Sequence, residues 1–200
     1  MKNYKFSKYL IATSVLLAIT FMACRDDEGE SPDPFPPVDR GTVEVNRILI
    51  TFTERNDTNQ SQTFEYYDRD GIGGAAPIKI DTIKLRTALN QDIEYLSNIE
   101  LFFDNQNFTN QVKTLERDYV VCYRGHNTRN LEYDRPDLDA DGIILGLNTV
   151  WFTEDESGLQ NPTDGTGNIY ITLNYQRQAK NGLCDPGVRI FEGTLPYVIK

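Results

Sequence analysis

Histidine is nearly absent from this 200-residue chain, in which His126 is the only one and cysteine occurs three times. Nitrogen and sulfur ligands are therefore too few and too scattered for a zinc centre, which takes four. Basic residues are also in deficit, 20 against 30 acids, for a net charge of -10. A surface of that sign repels nucleic acid and anionic headgroups, and it either collects cations or simply keeps the protein dissolved. No apolar run reaches the ~20 residues of a membrane-spanning helix; residues 10–21 form one that stops short. Catalytic signatures are missing as well. There is no nucleophile elbow and no zinc-protease helix motif, and Gly71, Gly73 and Gly74 lack the strand-to-helix setting and following lysine of a phosphate loop. His126, between Gly125 and Asn127 in a polar stretch, reads as a surface residue and not as a general base. The expectation is a protein that is not an enzyme and takes no nucleic acid.

What is present begins at the N-terminus. Lys2, Lys5 and Lys8 precede the apolar run at 10–21, and small Ala23 stands just before Cys24, the layout of an export leader. Residues 1–23 read as a signal peptide. The segment Phe21-Met22-Ala23-Cys24 resembles the lipobox of bacterial lipoproteins, which implies that Cys24 is acylated and becomes the new N-terminus. More than one acyl chain is needed for durable attachment, at ~0.8 kcal/mol per buried methylene. The cluster Asp26-Asp27-Glu28 resembles the signal that sends lipoproteins of the Bacteroidota to the outer face of the outer membrane, the periplasmic face being the alternative. Residues 24–40 then form an acidic tether with Pro32, Pro34, Pro36 and Pro37. At ~3.1 Å per residue in an extended polyproline form it reaches at most roughly 50 Å. Removing the leader takes away three lysines and no acid, so the kept part carries a net charge of about -13.

Residues 41–200 suffice for one domain with a real core. If Cys24 is acylated, Cys122 and Cys184 remain, and in an oxidising compartment an even pair reads as a disulfide before it reads as a metal site. Strand patterns recur along the domain at residues 42–53, 63–67, 78–85, 93–103, 119–123, 142–152, 168–175 and 188–199. In 93–103 the apolar stripe at odd positions breaks at Ser97. Asn56-Asp57-Thr58-Asn59-Gln60 reads as a turn, and 108–117 is the one short helix, with Thr109 as its N-cap. Seven or eight short strands with so little helix predict an all-β fold, a single antiparallel β-sandwich of immunoglobulin-like design.

The sharpest chemical signal is Asp137-Leu138-Asp139-Ala140-Asp141-Gly142. Alternate carboxylates before a glycine suit an oxygen-ligand calcium loop. Position twelve is Asn148 and not glutamate, which excludes the helix-loop-helix motif and leaves a looser calcium site or a solvated acidic turn. Asp68 and Asp70, around Arg69 and before Gly71, repeat the idea with one carboxylate fewer, and a glycine-rich hairpin turn is the competing reading. Tyr66-Tyr67, Trp151-Phe152, Tyr119 and Tyr123 form either a stacking platform or core, with Trp151 on the core side.

Four stretches carry a wider resemblance: Leu49-Ile50-Thr51-Phe52-Thr53, Asp68-Arg69-Asp70-Gly71-Ile72-Gly73-Gly74-Ala75-Ala76-Pro77, Gly146-Leu147-Asn148-Thr149-Val150-Trp151-Phe152-Thr153, and Lys180-Asn181-Gly182-Leu183-Cys184-Asp185-Pro186-Gly187. On these the chain resembles a family of small Bacteroidota lipoproteins found beside TonB-dependent outer-membrane receptors. The resemblance implies a ligand-binding or accessory module for such a transporter, the alternative being a structural or adhesive surface domain. Family members often carry an acidic helix ending in histidine where this chain reads Leu115-Glu116-Arg117-Asp118. Asp81-Thr82-Ile83 matches the short O-glycan acceptor pattern of the same bacteria, which makes Thr82 a candidate glycosylation site.

Overall fold

The structure is a computed structural model that describes residues 45–87, 92–126, 131–153, 165–177, 179–185 and 187–200. Cys24 and the tether lie outside them. Among the described residues the chain forms β1 (Arg47–Glu54), β2 (Asp57–Tyr67), β3 (Lys79–Ile80), β4 (Ile83–Leu85), β5 (Ile93–Phe103), β6 (Gln106–Asn107), α1 (Thr109–Thr114), β7 (Tyr119–His126), β8 (Leu131–Asp134), β9 (Asn148–Thr153), β10 (Thr166–Tyr175) and β11 (Val188–Ile199), with a 3-10 turn at Glu116–Asp118. One sheet runs β3-β2-β1-β5-β9-β8 with β6 on the end of β5, and the other runs β4-β11-β10-β7. All pairs are antiparallel except β4 with β11, which is parallel.

The alternation that marks each strand in the sequence is the alternation that buries it. Ile48, Ile50 and Phe52 of β1 are buried while Arg47, Leu49 and Thr51 are only partly so, because successive side chains of a strand leave opposite faces of the sheet. Residues of both sheets enter one apolar cluster, with Tyr66 of β2 edge-on to Phe191 of β11 at 5.6 Å and Tyr123 of β7 edge-on to Trp151 of β9, also at 5.6 Å. The break in the β5 stripe at Ser97 has a clear use. Its hydroxyl bonds Thr149 and accepts the buried Trp151 indole N–H at 2.9 Å, so a large apolar ring is buried without orphaning its donor.

Four expectations need correction. Eleven strands are present among the described residues, not seven or eight, since β3 and β6 are two-residue pairs with no periodicity to read and β8 is short. Residues 78–85 are not one strand. β3 belongs to the first sheet and β4 to the second, and Asp81-Thr82 carries the chain between them. The polar run 57–60 belongs to β2, leaving Arg55 and Asn56 as the turn. Thr109 does not cap α1 with its side chain. Its hydroxyl takes the Leu101 N–H at 2.8 Å, and Phe108 is the N-cap.

The lateral edge of β7 is closed by the segment crossing it. Val121 donates its N–H to Leu145 O at 2.7 Å, its carbonyl accepts Arg135 Nη1 at 3.1 Å, and the Tyr133 hydroxyl donates to Tyr123 O. Such covering removes the exposed ladder that makes sheet edges sticky. Gly146 is required there, since its φ is +84° and a Cβ would collide with the Val121 carbonyl.

Candidate functional site

A cavity of about 180 Å³ opens where β1 ends and β5 begins, with Phe52, Glu54, Leu85, Arg86 and Tyr95 among its lining residues. Gln60, Gln62, Lys84, Val198 and Lys200 complete it. Glu54 follows Ile48, Ile50 and Phe52 in the inward phase of β1, so the strand itself drives a carboxylate into the buried layer. Arg86 meets it as a fork, Nε to Oε2 and Nη2 to Oε1 at 2.7 Å each, the bidentate geometry that makes such a burial tolerable. The same contact holds the Arg86 guanidinium even more firmly protonated than usual. The Arg86 backbone is tied down on both sides, with its N–H on the Tyr95 hydroxyl at 2.9 Å and its carbonyl accepting from Thr153 Oγ1 at 3.0 Å. Burial raises the Tyr95 phenol above its ordinary range. Gln62 stands opposite Phe52 in the ladder and so shares the inward face. Lys84 and Lys200 are exposed cations at the opening with no acidic partner among the described residues. The arrangement is a small polar-rimmed opening with an aromatic floor, suited to binding and without a nucleophile–base pair.

The acidic loops lie at the opposite ends of the strands and are chemically occupied. Asp137 accepts the Gly146 N–H on Oδ1 at 2.8 Å and the Asn148 N–H on Oδ2 at 2.9 Å. Asp139 accepts the Asp141 and Ile143 N–H groups on Oδ1, at 2.9 and 2.8 Å, while Oδ2 takes Lys180 Nζ at 2.7 Å. Both partners of that ion pair are buried, with side chains 0% and 3% exposed. Burial works to raise the Asp139 carboxyl, but the Lys180 hydrogen bond and the two N–H donors outweigh it and hold it below the usual carboxylate range. Asp141 faces Arg117 at 3.0 Å instead. The three carboxylates thus serve two turns and two ion pairs, and no group of three or more potential ligands gathers around a metal position among the described residues. Asp137, Asp139 and Asp141, whose spacing reads as a looser calcium site or a solvated acidic turn, are engaged here with backbone N–H groups and cations, and tertiary folding supplies Lys180 from 41 residues away.

Asp70 closes its own loop by accepting the Ala75 N–H at 2.7 Å, and Gly74 lies so close that a Cβ would strike the Asp70 carboxylate. Asp70 is held below the ordinary range by that backbone bond. Asp68 is buried, and its carboxyl is pushed up by desolvation and by the neighbouring Asp70 side chain. The Tyr66 phenol is pushed up to about 12, by burial first and the Asp68 carboxylate second. This is a glycine-rich turn with two neighbouring carboxyls, and it does not join the Asp137–Asp141 carboxylates in a ligand group among the described residues.

Cys122 and Cys184 form a disulfide across 62 residues of sequence, with Cα atoms 5.9 Å apart. Tyr66, Tyr119, Tyr123 and Trp151 are core, and only Phe152 of the aromatic candidates shows a substantially open ring, 36% exposed. Thr82 is exposed beside buried Ile83. The side chain of His126 is not among those described.

Sequence reading missed Glu54, Arg86, Gln62, Lys84, Lys200 and Lys180. For Glu54 and Gln62 a signal existed, a polar residue standing in the apolar phase of a strand beside Phe52 and Phe64. For Lys180 none did. No family model and no curated protein matches the chain.

Proposed function

We propose that this chain is an outer-membrane lipoprotein, held at the cell surface through acylated Cys24, whose domain is an immunoglobulin-like β-sandwich acting as a ligand-binding or accessory module for a TonB-dependent transporter. The observation that carries export is the Cys122–Cys184 disulfide, because such bonds persist in oxidising compartments. It leaves Cys24 as the one cysteine not spoken for, directly behind a leader-like segment. Two sheets sharing one apolar cluster support the sandwich reading. The opening beside Glu54 and Arg86 supports binding over catalysis, since it offers a shaped polar rim and no activated nucleophile.

The test has two arms. Cells fed labelled palmitate should incorporate it into the wild-type chain and not into Cys24→Ser, and protease added to intact cells should shorten the wild-type protein. Label in the Cys24→Ser variant would sink the anchor. Purification from detergent-solubilised membranes should then bring down a transporter of the outer membrane; its repeated absence would reject the accessory role and leave an adhesive or structural surface domain.

A further inference from the structure

Among the described residues, the edge of β2 next to the cavity is left without a neighbouring strand. In an antiparallel ladder, residues alternate between those that exchange hydrogen bonds with the neighbour and those whose N–H and C=O point the other way. Glu65 belongs to the second kind. Its N–H goes to Asp81 Oδ2 and its carbonyl accepts the Asp81 N–H, each at 2.9 Å, on the side away from β1. Thr63 and Ser61, opposite Thr51 and Thr53, share that phase. β3 pairs only with Tyr66 and Tyr67, so among the described residues no strand meets the backbone of Ser61 and Thr63. Their hydroxyls are already spent on Thr53 and Thr51, at 2.9 and 2.8 Å. What this edge offers a partner is therefore its main chain. On the inner side of the same strand, Gln60 and Gln62 line the cavity, and Lys84 of β4, exposed between buried Ile83 and Leu85 at the edge of the other sheet, borders the same opening.

We propose that the Ser61–Thr63 edge is a strand-addition site for an extended peptide segment of another protein, with an acidic side chain of that segment directed toward Lys84 and Lys200. Main-chain bonds to a sheet edge supply affinity and pockets for alternate side chains supply specificity. The cavity, about 180 Å³, is small beside the ~300–1,000 Å³ of sites for whole small ligands, and fits one side chain hung from an added strand. Charge selects the acid. In a chain of net charge -10, the opening presents two cations without acidic partners among the described residues, while the third, Arg86, is committed to Glu54. A second copy fits less well, because two-fold pairing would bring the same cations together. The inference goes beyond the anchor and transporter reading and stands if either fails.

The experiment uses the full-length chain in detergent and a fluorescent nine-residue probe of alternating Val with Thr or Glu, with three comparison peptides. One has Lys for Glu, and two are N-methylated on alternate backbone nitrogens, one in each frame. The Glu probe should bind saturably, the Lys probe about ten-fold more weakly, and one N-methylated frame should lose binding while the other keeps it. Ser61→Pro removes an outward N–H together with the exposed hydroxyl bond to Thr53 of β1, so it is read against Ser61→Ala, which loses that hydroxyl bond alone: Ser61→Pro should weaken the probe about ten-fold relative to Ser61→Ala at the same melting temperature. Lys84→Glu, an exposed change that does not touch the core, should reverse the preference between Glu and Lys probes. Equal binding of the two charges, indifference to both N-methylated frames, or no saturable binding would overturn the proposal. So would a concentration-dependent dimer that Ser61→Pro abolishes, since a second copy would then be the occupant.

Discussion

The two ends of the strands treat buried charge in opposite ways. At the loop end, Asp139 and Lys180 are sealed from water and every oxygen of Asp137 and Asp139 is taken by an N–H or an ammonium. At the cavity end, Glu54 is also buried, its side chain 8% exposed, but its partner Arg86 keeps a side chain 54% exposed and stands at an opening. The difference teaches that acidic density and an accessible opening do not coincide among the described residues of this protein. The clustered aspartates were spent on holding turns, whereas a single glutamate placed in the wrong phase of a strand frames the accessible site.

The comparison breaks most sharply at Lys180. Lys180→Met leaves the Asp139 carboxylate buried without its cation and should cost ~3–5 kcal/mol in urea unfolding. The matching change at the cavity end, Arg86→Met, should cost only about 1–2 kcal/mol, because water reaches the half-exposed Arg86 position and can solvate Glu54 in its place. Equal costs would erase the distinction. Replacing Cys122 and Cys184 together by alanine should cost roughly 4 kcal/mol, as expected for a closed loop of this length, and should loosen the loop end first in hydrogen exchange.

Titration sharpens it further. The Asp139 carboxyl is depressed in the folded protein, so its stabilisation is present above the ordinary value of 3.8 and is lost as pH falls through the lower folded value. Asp68 runs the other way. Its raised carboxyl costs stability when ionised, and protonation relieves that cost as pH falls through the raised folded value toward 3.8. Asp139→Asn should therefore flatten acid unfolding, while Asp68→Asn should stabilise the protein at neutral pH. At the alkaline side Tyr66 keeps its proton to about 12 when folded against 10.0 unfolded, so stability should fall between those values and Tyr66→Phe should remove that fall. The smallest effect is expected from calcium. Millimolar calcium should leave the melting temperature unchanged, and a rise that disappears in Asp139→Ala would restore the aspartate loop as a cation site.

Much of the fold was legible because strand burial has a period of two. The stripes of residues 93–103 and 188–199 coincide with β5 and β11 to the residue. The gap at Ser97 was visible as a gap, although its purpose depends on Trp151 and Thr149, more than 50 residues on. β3, β6 and β8 were illegible since two to four residues carry too little pattern. The site divided in the same way. Glu54 and Gln62 announced themselves as polar residues in apolar phase, while nothing near Lys84, Arg86 or Lys200 says that they gather at the end of one sheet and border Glu54 and Gln62 of the other.

By itself the sequence determined the strand faces, the acidity and the pairing left to Cys122 and Cys184, because each depends on local alternation or on simple counting. Only the tertiary structure decided what the charges do. It brought Lys180 to Asp139 and Arg86 to Glu54, and it left Ser61 and Thr63 on an open edge. The reason is physical: a carboxylate's role is set by whichever donor reaches it in a low-dielectric interior, and that donor comes from chain closure over distances no local pattern encodes.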